Sequence, residues 1–69
     1  MNERAYFEKL IGKFLVLNVQ SNDYTLKYSG FLKAVLENQI LFDDVKLGEI
    51  LIVQKDITIR GIYDDRPRS

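Results

Sequence analysis

From residue 13 onward the chain alternates apolar and polar positions in short blocks separated by turn residues, and each block reads as a β-strand. The first, Lys13 to Gln20 (KFLVLNVQ), puts Leu15, Leu17 and Val19 on one face and Phe14, Val16, Asn18 and Gln20 on the other. Ser21, Asn22 and Asp23 make a turn. A second strand runs from Tyr24 to about Leu36 and carries Gly30 in its middle, the mark of a bulge or a sharp bend that lets one strand serve two halves of a curled sheet. Glu37 and Asn38 turn the chain into a third strand, Gln39 to Val45, and Lys46 and Gly48 sit at the next reversal. The stretch Leu47 to Tyr63 (LGEILIVQKDITIRGIY) holds two further runs, Ile50 to Val53 and Ile57 to Ile62, around the polar pair Lys55 and Asp56. β-Branched residues dominate both runs, so they read as strands either side of a tight turn.

Ahead of the strands the period changes. Asn2 is a capping residue, with Glu3 in the first turn, and Tyr6, Phe7, Leu10 and Ile11 form an i, i+3, i+4 stripe away from Arg4, Glu8 and Lys9. Gly12 ends that helix, which reads as an amphipathic lid on the sheet. The tail Asp64 to Ser69 (DDRPRS) is polar and is expected to fray, leaving residues 1–63 as one domain. The expected fold is mostly β: an N-terminal helix followed by a five-stranded, strongly bent antiparallel sheet, a small strongly curved sheet or open barrel.

Composition narrows the chemistry. A chain of 69 residues buries only about 60% of the surface its unfolded form exposes and gains from a staple. Cys and His are absent, which removes disulfides, the usual metal ligands, the cysteine nucleophile and the usual general base. Asp43 and Asp44 point to opposite faces of one strand and do not converge on a metal. The expectation is a binding protein rather than an enzyme, with no cofactor and no metal. Ten basic and ten acidic residues cancel, so a nucleic-acid partner must be held by a local site. No apolar run approaches the ~20 residues of a membrane helix and no signal peptide is visible, from which a cytoplasmic location is expected. Tyr6, Tyr24, Tyr28 and Tyr63 read as core or rim residues.

Oligomerisation is the staple that remains. An open five-stranded barrel leaves edges, and Ile50 to Val53 lacks the Lys, Pro or bulge that blunts an edge. Ile50, Leu51, Ile52 and Val53 of one copy are expected to continue the sheet onto Ile57, Thr58, Ile59 and Arg60 of the next. Such a contact joins different surfaces head to tail and closes into a ring.

The order helix, Leu10-Ile11-Gly12-Lys13, glycine-bearing strand and Leu47-Gly48-Glu49-Ile50-Leu51-Ile52 resembles the Sm-like (LSm) family, whose bacterial branch is Hfq. The likeness spans Glu3 to Tyr63: Tyr28 to Lys33 and, less closely, Gln39 to Val45 match the family's first motif, and Leu47 to Ile52 with Ile57 to Ile59 its second. The resemblance implies a homo-hexameric or homo-heptameric ring that binds single-stranded RNA at a central pore, where the turns Glu37-Asn38-Gln39 and Gln54-Lys55-Asp56 would converge. Glu37 stands about where the family places a stacking ring, and Gln39 about where it places a base-reading Asn. Gln39 can read a base edge through its amide, whereas Glu37 cannot stack. The family's Arg-Gly becomes Val53-Gln54, which removes a guanidinium; Arg60-Gly61 lies too far downstream to replace it. Arg4, Lys9 and Lys13 offer a second cationic surface near the helix. Two functions follow: a ring that binds RNA as a chaperone or scaffold, or a ring that serves as a protein-interaction module without the nucleotide pocket.

Overall fold

The computed structural model describes residues 3–66. They form a helix, α1 (Glu3–Glu8), and strands β1 (Phe14–Ser21), β2 (Tyr24–Val35), β3 (Gln39–Asp44), β4 (Gly48–Val53) and β5 (Ile57–Tyr63), with a single 3₁₀ turn, Gln54–Asp56, between the last two. The expected Asn2 cap lies outside the described residues, as does the end of the tail beyond Arg66. No helix among the described residues is long and apolar enough to cross a membrane.

All five strands make one antiparallel sheet in the order β4-β3-β2-β1-β5. The expectation of five strands in a mostly β fold holds, but β4 and β5 are not partners across their turn. They occupy opposite edges of the sheet, and each is paired on one side only. This geometry requires curvature. In a flat sheet the outer strands would be about 19 Å apart, whereas the chain from Val53 to Ile57 reaches about 14 Å at full extension and less in 3₁₀ form. The sheet therefore curls until its two edges approach at that end, without closing into a barrel.

β2 provides the bend. It pairs with β1 from Tyr24 to Phe31 and with β3 from Gly30 to Val35, so the hand-over between the two halves falls on Gly30 and Phe31. Gly30 is there because β3 leaves no room for a side chain: a Cβ would strike the Asp43 carbonyl oxygen and lie 2.9 Å from the Asp44 Cα. The bulge is separate, with Lys33 as the extra residue between Leu32 and Ala34. A second bulge in β5 makes Arg60 the extra residue opposite Val16 and Leu17.

The inner face carries the core: Leu15, Leu17, Val19, Leu32, Ile40, Phe42 and Ile52, with Phe7 and Leu10 laid over them. Leu15, Leu17, Leu32, Ile40 and Phe42 are fully buried. The period-2 reading of β1 is reproduced residue for residue. The helical stripe is narrower than expected, because α1 lasts under two turns: Phe7 and Leu10 are buried while Tyr6 and Ile11 stay about half exposed. Gly12, at φ +89°, donates its N–H to the Leu32 carbonyl, and Leu32 N–H donates to Lys13 C=O, which clips the helical segment to β2. On the outer face Phe14 lies edge-on to Phe31 and beside Tyr63, a row of rings across β2, β1 and β5.

Candidate functional site

The β2–β3 loop and the 3₁₀ turn meet at one corner of the sheet, and Gln54 makes them meet. Its N–H donates to the Asn38 carbonyl at 2.9 Å. Its side-chain amide donates to Leu36 C=O at 2.9 Å and Gln39 C=O at 3.0 Å. The Gln39 carbonyl also accepts from Leu36 N–H, closing the loop on itself. Gln54 is buried, and both of its amide protons are committed to main-chain carbonyls. A neutral amide suits this position because the loop groups it meets are carbonyls, which accept from its N–H donors.

This framework leaves the neighbouring side chains free to act. Glu37, Asn38 and Lys55 are exposed, and Gln39 and Asp56 are half-buried. The six residues singled out in the sequence are thus gathered at one corner, with Gln54 as the piece that fixes the loop and the other five around it. α1 packs beside the 3₁₀ turn and β2, so the corner is also the one on which the helix sits. Val53-Gln54 closes β4, while Arg60-Gly61 lies inside β5 at the bulge and so does not take part in the corner.

The strands expected at a subunit contact divide by face. Ile50, Ile52, Ile57 and Ile59 turn inward onto the core. Leu51 is 55% exposed on the outer face, Thr58 and Arg60 are exposed, and Val53 is half-buried. What β4 and β5 offer outward is therefore two separate unpaired main-chain edges, one beside Leu51 and the other beside Thr58 and Arg60.

At the far end of the β3–β4 hairpin sits a residue that sequence reasoning assigned no role. Asp44 is buried, and its carboxylate accepts from Ser29 N–H at 3.2 Å, Lys46 N–H at 2.9 Å and Leu47 N–H at 3.0 Å. The signal was present in the spacing: an Asp two and three residues ahead of turn N–H groups is an Asx-turn former. Asp43, its neighbour, faces the other way and is half-buried, as alternation requires. Elsewhere, Lys13 Nζ donates to the exposed Asp64 carboxylate at 2.7 Å and holds it below the usual carboxylate range, first by that hydrogen bond and then by its charge. The chain matches no protein-family model, no curated protein and no solved structure.

Proposed function

We propose that the protein is a ring-forming, Sm-like RNA-binding protein in which β4 of one copy adds to β5 of the next and the corner built on Gln54 lines a central pore for single-stranded RNA. The observation that carries this reading is the sheet order itself. It leaves two unpaired edges, on different strands, at the two sides of a curled sheet; edges of that kind can join head to tail, and closure into a hexamer or heptamer is what the resemblance to Sm-like proteins adds. In such a ring the corner is repeated by every copy, so Asn38, Gln39 and Lys55 recur around one opening and weak contacts multiply. Lys55 meets phosphate and Gln39 presents its amide to a base edge.

The charge of the corner favours a second reading. Glu37 and Asp56 outnumber Lys55 there, and the same ring could then serve as a protein-interaction module. Fluorescence polarisation of labelled U-rich and A-rich RNA, with subunit number read by native mass spectrometry, separates the two. Saturable binding to a hexamer or heptamer, weakened by Lys55→Glu, is the expected result. A ring that ignores both RNAs gives the function to the interaction module. Leu51→Lys puts a charge on the β4 edge without entering the core and is expected to disperse the ring to monomers; an unchanged mass would overturn the edge assignment.

A further inference from the structure

The hand-over at Gly30 leaves a third open edge, distinct from β4, β5 and the Gln54 corner. Tyr24 to Ser29 are paired with β1 but not with β3. Ser29 shows which main-chain groups face the open side: its N–H donates to the Asp44 carboxylate and its C=O accepts from Val45 N–H. Both point away from β1, and in an antiparallel ladder every second residue does the same. Counting from the other end agrees, because Ser21 and Tyr24 flank the two-residue turn Asn22-Asp23 and so exchange hydrogen bonds, making Thr25, Lys27 and Ser29 the outward set. Ser29 is satisfied by the β3–β4 hairpin. Thr25 and Lys27, both exposed, present N–H and C=O along the free edge.

Beside that edge lies a groove of about 370 Å³ running from Lys27 to Ser29 on one side and Val45 to Leu47 on the other. Its apolar lining is open at Leu47, 65% exposed, and Leu26, on the inner face of β2 opposite Val19, is 38% exposed. Its charge is positive, because Lys27 and Lys46 are exposed whereas the Asp44 carboxylate is buried and engaged by three N–H groups.

We propose that the free edge of β2 at Thr25 and Lys27 is a strand-addition site for an extended acidic polypeptide segment, one in which acidic residues alternate with apolar ones. The added strand continues the line of β3 beyond the point where the hairpin turns away, with its main chain on Thr25 and Lys27. Its apolar side chains fall on the inner face against Leu26, Tyr28 and Leu47, and its acidic ones on the outer face beside Lys27, with Lys46 at the end of the groove. Another copy of this edge is a poor occupant, since self-pairing brings Lys27 of both copies together. RNA satisfies the lysines but has no ladder of N–H and C=O groups to offer Thr25 and Lys27.

The test is an NMR titration of the full chain with a capped peptide of alternating glutamate and valine. The expected result is a shift of the Thr25 and Lys27 amide signals and slower hydrogen exchange at both. Binding is expected to fall about tenfold in Lys27→Glu and to be regained with a lysine–valine peptide. A peptide N-methylated at alternate residues, which cannot complete the ladder, is expected not to bind the unaltered protein. Silence at those two amides up to millimolar peptide would overturn the proposal. So would equal binding of the N-methylated peptide, or a response of these amides to an RNA oligomer and not to the peptide.

Discussion

Asp44 and Gln54 hold the two ends of one hairpin, and they do so with opposite chemistry. At the turn end of β3 and β4 the groups left over are N–H donors, and a buried carboxylate accepts three of them. At the open end the groups left over are carbonyls, and a buried amide donates to two. They are the buried polar side chains among the described residues. In each case a single internal side chain satisfies the loop so that its neighbours need not: Lys46 and Leu47 at one end, Glu37, Asn38 and Lys55 at the other, are exposed. Display at the surface depends on a committed polar group beneath it.

The sharpest way to break the comparison is at Gly30, which seats β2 against the Asp44 end. Gly30→Ala drives a Cβ into β3 backbone that cannot yield, and a loss of at least ~3 kcal/mol, enough to unfold a domain of this size, is expected in urea melts. Gly48→Ala is the control. Its Cβ meets open space, so only the positive φ is strained and about 1–2 kcal/mol is lost. Next in size, Asp44→Ala leaves three N–H groups without their acceptor and is expected to cost about 2–4 kcal/mol, with Asp44→Asn near half of that. At the other end Gln54→Ala removes two neutral hydrogen bonds and is expected to cost about 1–2 kcal/mol. Gln54→Glu sharpens the contrast, because a carboxylate against two carbonyls destabilises more than alanine at neutral pH and the gap narrows in acid. If Gln54→Glu were as stable as the unaltered chain at neutral pH, the donor assignment would be wrong.

The smallest effect lies at the tail. The Asp64 carboxyl is lowered by Lys13, so its ion pair is present above the ordinary aspartate range and is lost only as pH falls through the depressed value. Carboxyl NMR is expected to place its midpoint below the ordinary aspartate range, and Lys13→Met to return it to that range. The melting temperature should barely move, since Asp64 is fully exposed.

Much of this fold was legible because alternation is a local property. The faces of β1, the polar turns and the glycine in β2 could be read directly from residue types. Pairing is not local. Two β-branched runs around Lys55-Asp56 look the same whether they fold back on each other or part to opposite edges, and what separates them is a 3₁₀ turn fixed by Gln54. Tyr6 and Ile11 were misplaced because a stripe drawn on sequence assumes more helix than Glu3–Glu8 supplies. The gathering of residues 37–39 with 54–56 was anticipated through resemblance. Gln54's place as its internal brace was not, since a glutamine in a polar turn carries no periodic signal.

The register of β1 with β5 also has a temporal consequence. Phe14 pairs with Tyr63, so the first strand to leave a ribosome waits for the last before its second side is covered. Until then β1 and β2 form a hairpin whose flank, from Phe14 to Val19, is open to other nascent chains on the same message. Completion is therefore set by the final few codons of the sheet. Slowing translation anywhere between β2 and Ile57 would lengthen that exposure, because only β5 covers the open flank of β1.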